Sequence, residues 1–284
     1  MKIQRLSYAE NYHLPYKKSR DQKPQNHHLW HDHEELEFIQ ILKGSGSVCI
    51  GDSIQKFTDD DVFLIGSKLP HYWLFDDEYV YDVAAIADIK VIHFMPNFCG
   101  DHLLASPVCQ SIQELYEKAS KGILFPKRNT YIDAFFKDVF DLFGVQQVTK
   151  LLEILEYANQ LPDIRLMTSE NYAILHHEND YHRINKIMEY IRINYKTTFK
   201  LNDIATYVGM APNSLCRYFK NKTGKTLLAF ITEIRIATAC KQLKESDISI
   251  KAMCYDCGFN NFVSFHKAFK KITGMTPLAY RQTL

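Results

Sequence analysis

One pattern occurs twice near the C-terminus of this 284-residue chain, and that repeat limits the folds open to it. Leu215-Cys-Arg-Tyr-Phe-Lys-Asn-Lys-Thr-Gly-Lys-Thr-Leu-Leu-Ala-Phe230 aligns with Phe265-His-Lys-Ala-Phe-Lys-Lys-Ile-Thr-Gly-Met-Thr-Pro-Leu-Ala-Tyr280 at a constant offset of fifty residues. Upstream of each copy lies a short amphipathic segment. Leu201, Ile204, Ala205 and Val208 fall at i, i+3, i+4 and i+7, as do Ile250, Met253, Cys254 and Cys257, so each set shares one helix face. A glycine follows each segment (Gly209, Gly258), where a left-handed residue closes a helix without a Cβ penalty. Helix, glycine turn and helix make the helix-turn-helix layout, present twice. A helical solenoid would normally need more than two copies. The outward positions of the later helices are basic: Arg217, Lys220 and Lys222 in one, Lys267, Lys270 and Lys271 in the other.

Charge is divided in the same way. The net charge is +1, but residues 181–284 carry 17 Lys/Arg against 6 Asp/Glu, and residues 1–180 carry 17 against 27. A basic half beside an acidic half points to a polyanion partner for the basic one, since such surfaces bind nucleic acid largely through phosphate neutralisation.

Residues 183–282 resemble the AraC/XylS family of bacterial regulators. The second unit carries the match: Cys257-Gly-Phe-Asn-Asn-Phe-Val-Ser-Phe-His-Lys-Ala-Phe-Lys-Lys, followed by Thr273-Gly-Met-Thr-Pro-Leu-Ala-Tyr-Arg281. Ile234-Arg235-Ile236 and Ala239–Leu243 look like the family's long helix between the two units. The resemblance implies that Asn213, Cys216 and Arg217 meet bases in the major groove from the first recognition helix, and Asn261, Val263, His266 and Lys267 from the second. It gives Lys220, Lys222, Lys270 and Lys271 to phosphates. The chemistry agrees where it can be checked: an arginine fork matches guanine O6 and N7, and asparagine pairs with adenine.

The N-terminal part has a different texture. Leu36–Leu42, Val48–Ile50, Val62–Ile65, Tyr72–Phe75 and Tyr79–Phe94 are rich in β-branched and aromatic residues, with turn material between them, and predict strands. Helical patterns follow at Gln113–Ala119, Thr130–Phe143 and Gln146–Asn159. His31, His33 and Glu37 have the same parity, which on one strand would aim them at one face. This H-x-H-x3-E run, with Gly44 after it, resembles the first cupin motif, and Pro70-His71-Tyr72-Trp73 resembles the end of the second. The glycine expected near Asp60 or Asp61 and the late asparagine are missing. The resemblance implies a small barrel in which His31, His33, Glu37 and His71 hold a divalent metal ion. The same residues could instead line a pocket for a small-molecule effector or be satisfied barrel polars.

The expected fold class is α+β and multidomain: an N-terminal cupin-like β-barrel with appended helices, then an all-α domain of two helix-turn-helix units joined by a long helix. Expected boundaries are 1–107 for the sensor, 108–165 for a helical dimerisation region, 166–182 for a linker and 183–284 for the DNA-binding domain. The function implied is an effector-controlled, sequence-specific regulator binding double-stranded DNA, a homodimer and not an enzyme. The alternative is a cupin metalloenzyme, a dioxygenase or isomerase, using His31, His33, Glu37 and His71. Seven cysteines without framework spacing, no apolar run of membrane length and a charged start predict a cytoplasmic protein with no membrane partner. Cys254 and Cys257 predict core packing, and His27-His28 and His176-His177 surface positions.

Overall fold

The computed structural model describes residues 16–22, 27–81, 85–172, 181–197 and 200–283. They form two compact units, one from the chain up to residue 172 and one from Tyr181 onward (Ile54–Lys56 group with the second).

The first unit contains the strands. They are β1 (Tyr16–Asp21), β2 (Leu36–Lys43), β3 (Gly46–Ile50), β4 (Ser53–Phe57), β5 (Asp61–Ile65) and β6 (His71–Phe75), then helix α1 (Asp77–Tyr81) and β7 (Asp88–Phe94). Helices α2 (Asp101–Leu104) and α3 (Gln110–Ala119), strand β8 (Ile123–Leu124), helices α4 (Thr130–Asp138) and α5 (Val145–Gln160) and strand β9 (Arg165–Leu166) complete it. The strands make two sheets, a six-stranded one in the order β1-β7-β2-β5-β8-β9 and a three-stranded one in the order β4-β3-β6. This corrects the expected barrel: the sheet is not closed.

The reason lies in how the large sheet uses its two faces. Leu36, Phe38, Val62, Leu64, Ile92 and Phe94 pack under the helices with Leu115, Phe135, Phe136 and Leu155. Their strand neighbours Ile39, Ile41, Phe63, Ile65, Ile89 and Val91 pack with Val48, Ile50, Trp73 and Phe75 of the small sheet. A sheet apolar on both faces reads as continuous hydrophobic runs, which is how β2 and β5 read. The apolar residues of α4 and α5, expected to serve partly as a dimer seam, are largely taken by this core.

Three local expectations change. Tyr79–Phe94 is not one strand: Asp77 and Glu78 open a short helix, and β7 begins at Asp88. Helix α4 ends at Asp138 rather than Phe143, because the Lys18 ammonium collects the carbonyls of Val139, Phe140 and Leu142 at 3.3, 2.7 and 2.8 Å. Of the expected linker 166–182, Met167 is buried and its N–H donates to Gly122 O, while Ser169 bonds Asp52. Residues 173–180, including His176-His177, lie outside the described residues.

The second unit is helical: α6 (Tyr181–Asn194), α7 (Leu201–Val208), α8 (Pro212–Thr223), α9 (Leu227–Glu245), α10 (Ile250–Asp256), α11 (Phe262–Thr273) and α12 (Pro277–Gln282). Both first helices close alike, Met210 N–H donating to Ala205 O and Phe259 N–H to Cys254 O, across left-handed Gly209 and Gly258. Fifty residues separate Pro212 from Phe262, but forty-nine separate Leu201 from Ile250. The second turn is therefore one residue longer. Cys254 and Cys257 are buried in the core with Met253, Phe265 and Phe269, as expected.

Candidate nucleic-acid interface and histidine cluster

Helices α8 and α11 turn corresponding faces to solvent. Leu215 and Phe219 point inward on α8, as Phe265 and Phe269 do on α11. That leaves Asn213, Cys216, Arg217 and Lys220 on one stripe of α8, and Val263, His266, Lys267 and Lys270 at the fifty-residue equivalents on α11. Asn213, Arg217, Lys220, Val263, Lys267, Lys270 and Lys271 are exposed; Cys216, Lys222 and His266 are half-buried. His266 leans on Phe262, ring centroids 4.6 Å apart, and Lys222 lies over the Tyr218 ring. Asn261 is different. It is the N-cap of α11, its side-chain oxygen accepting from Ser264 N–H at 3.0 Å. That oxygen is engaged, and the equivalent cap position in the first unit is Ala211, whose methyl side chain cannot accept a hydrogen bond.

The histidine cluster forms at one end of the space between the two sheets. Glu37 is the second residue of β2 and pairs in register with His93 on β7. His71 starts β6 on the same face as Trp73 and Phe75. His31 and His33 are not on a strand with Glu37: His31 makes an isolated bridge to His71, and the chain bends at Glu34 and Glu35 before β2. Convergence therefore comes from a bend, and the equal parity of residues 31, 33 and 37 was not its cause. One ligand atom from each of His31, His33, Glu37 and His71 lies within 4.8 Å of the others.

Glu37 Oε2 is the hub. His33, His71 and His93 Nε2 lie 3.3, 3.2 and 3.3 Å from it. His93 was not among the expected residues, being far from either motif; the β2–β7 register brings it in. Meanwhile Nδ1 of His31, His33 and His71 faces the carbonyls of Leu29, Glu35 and Leu69 at 2.7, 2.9 and 2.9 Å. A carbonyl only accepts, so each Nδ1 carries its proton, and a neutral ring presents an Nε2 lone pair to the centre. Lone pairs facing a carboxylate oxygen repel unless a cation or extra protons lie between. Glu37 Oε1 is buried with no hydrogen-bond partner. Burial pushes the Glu37 carboxyl up, but with the rings protonated at Nε2 as well, the His71 charge and hydrogen bonds from three imidazolium rings outweigh it and hold it well below its ordinary range. Desolvation, with like charges on His71 and His33, holds His31 well below the usual imidazole value. The donor set, the fixed tautomers and the orphaned oxygen fit a divalent metal ion.

Among the described residues no helix is long and apolar enough to cross a membrane. Residues 204–283 match the model of a helix-turn-helix domain. The HTH-type transcriptional regulator YdeC of Bacillus subtilis (strain 168) is 24% identical over 89% of this chain and 85% of its own length. The HTH-type transcriptional regulator SAS0078 of Staphylococcus aureus (strain MSSA476) is 28% identical over 85% of this chain, which spans only 30% of that protein. Among solved structures, ToxT from Vibrio cholerae is 14% identical with a TM-score of 0.37, covering 95% of this chain and 99% of ToxT. The repeat, the exposed basic stripes and the matched domain agree: the chain carries the AraC-type helix-turn-helix domain of DNA-binding transcription regulators.

Proposed function

We propose that the chain is a sequence-specific regulator whose second unit grips double-stranded DNA with α8 and α11 and whose first unit senses a ligand at the histidine cluster. The observation that carries the first half is the pair of exposed, basic stripes at equivalent positions on two helices. Asn213, Cys216 and Arg217 read bases from α8, and Val263, His266 and Lys267 from α11, with Asn261 offering its amide NH₂ while its oxygen caps the helix. Lys220, Lys222, Lys270 and Lys271 contact phosphates. Two such helices enter successive major-groove faces about one helical turn, ~34 Å, apart. Selection of bound sequences from random duplexes tests this. The expected product is an asymmetric site with two halves; no enrichment over random DNA would contradict it.

The sensing half rests on the geometry around Glu37. His31, His33, Glu37 and His71 hold a divalent cation, which neutralises the carboxylate and takes the imidazole lone pairs, and the ion or a small molecule bound to it is the effector. The chain is divided into a sensor at 1–107, a helical region at 108–165, a linker at 166–182 whose first stretch docks on the sensor, and a DNA-binding domain at 183–284. A homodimer would use what the core leaves exposed on the helical region, chiefly Phe143 and Val145 at 74% and 81% exposure; sedimentation of the full chain at micromolar concentration decides it. The protein works in the cytoplasm, where its DNA is. The same His/Glu set also favours a cupin-type metalloenzyme. Turnover of a small substrate by metal-loaded protein would support that second reading.

A further inference from the structure

Arg235 stands near the middle of α9, the helix against which both helix-turn-helix units pack. Its guanidinium is committed in three directions. Nε donates to Tyr195 O at 2.6 Å and Nη2 to Thr197 O at 2.8 Å, both just beyond the C-terminus of α6. There the cation also meets the negative end of that helix. Its carbon lies 5.7 Å from the centre of the Phe259 ring, in the turn before α11. The adjacent residue closes the same junction. A Cβ on Gly258, whose φ is +87°, would stand 2.7 Å from Tyr195 O and 2.8 Å from the Lys196 carbonyl, so the turn backbone runs directly against residues 195 and 196. Tyr195 is itself buried, its hydroxyl 3.5 Å from Thr238 Oγ1.

The segment leading into the first unit, the central helix and the turn of the second unit therefore converge on one side chain. Phe259 is also within the stretch where the second turn is one residue longer than the first. A helix of 19 residues is about 28 Å long at 1.5 Å per residue, so α9 alone sets the approximate separation of the recognition helices. It does not fix rotation of the second unit about its axis. A shift of about 3.4 Å along the groove is one base pair, and a small rotation of α11 would produce it.

We propose that Arg235 is a positioning residue for DNA recognition: by tying the loop 195–197 to the Phe259 turn it fixes the angle between α8 and α11, and so the spacing between half-sites that the chain accepts. The proposal rests on the reading of both helices as recognition helices. Arginine is needed because its planar fork serves two carbonyls two residues apart while its face meets the ring; lysine offers a point charge on a flexible stem.

The test uses the full chain with Arg235→Lys and, as a milder change that leaves both carbonyl bonds, Phe259→Leu. Affinity is measured on the selected bipartite site, on the same site with one base pair inserted or removed between its halves, and on the half-site read by α8 alone. Wild type should lose at least roughly tenfold on the altered spacings, because only one half then engages fully and the avidity of linked units is lost. Both variants should narrow that difference to a few-fold while half-site affinity and the bases selected within each half stay as in wild type. A purely structural role predicts otherwise. Variants that keep the wild-type spacing discrimination, or that lose half-site affinity as much as full-site affinity, overturn the proposal. Should Arg235→Lys not fold, Phe259→Leu decides by the same readings. Wild type that selects no bipartite site at all sinks the DNA-recognition reading itself, an outcome distinct from wild type and variants sharing one strict spacing.

Discussion

Arg217 ends in a planar fork and Lys270 in a point charge, so in the proposed reading of α8 and α11 the two would test different components of DNA binding from equivalent helix faces. Arg217→Ala is expected to cost roughly 1–3 kcal/mol on the selected site and to relax preference only at its own half. Lys270→Ala should weaken binding on every sequence alike and reduce the salt slope by about 0.9, the contribution of one phosphate. Titrations on specific and random duplexes at several salt concentrations separate these effects; equal loss on both duplexes for Arg217→Ala would make it a clamp. In the other unit, Glu37→Gln preserves shape but removes the hub charge. Bound metal measured by elemental analysis should fall to background while DNA affinity of the effector-free protein is unchanged. His93 reaches Glu37 without belonging to the four-residue ligand cluster, so His93→Ala should weaken metal binding by roughly 10–100-fold without abolishing it.

Helix ends decide several features at the scale of single elements. Asn261 was expected to read a base because of its place in the second unit, yet its carbonyl oxygen satisfies Ser264 N–H at the start of α11. Asn261→Ala should therefore destabilise the second unit by about 1 kcal/mol in denaturant titration. Asn261→Asp keeps an acceptor and should restore stability, but it removes the amide donor and adds a charge that phosphate repels. If Asp fails to recover stability, the cap is not what that side chain contributes. Helix α4 shows the converse case: its hydrophobic pattern continues to Phe143, but carbonyls gathered by Lys18 from a strand far away in sequence end it early. Nothing in the local pattern of residues 130–143 signals that lysine.

Taken whole, the molecule divides its chemistry between two units, and ligand binding should reveal the division. Loading with a divalent metal at 100 times its dissociation constant should stabilise the first unit by about 2.7 kcal/mol. Operator DNA should stabilise the second. Differential scanning calorimetry should then show two transitions, with metal raising one and DNA the other; a single transition moved equally by both would mean the units unfold as one.

Much of this was legible in the sequence because it depends on local spacing. The fifty-residue repeat, the glycine closures and the outward basic positions follow from helix periodicity, which is fixed by a few residues at a time, and they led to the DNA-binding domain. The H-x-H-x3-E run named His31, His33 and Glu37 as one site by resemblance, with His71 added the same way, but the bend at Glu34 and Glu35, and not strand parity, brings them together. Other features depend on partners distant along the chain. His93 joins Glu37 only through the β2–β7 register. The sheet stays open because its outer face is covered by helices whose apolar residues could equally have faced a second subunit. Arg235 looks like any basic residue on a long helix until Tyr195, Thr197 and Phe259 are brought to it. Periodicity determines which face of an element is apolar; only tertiary packing decides what that face, or a charge beside it, will meet.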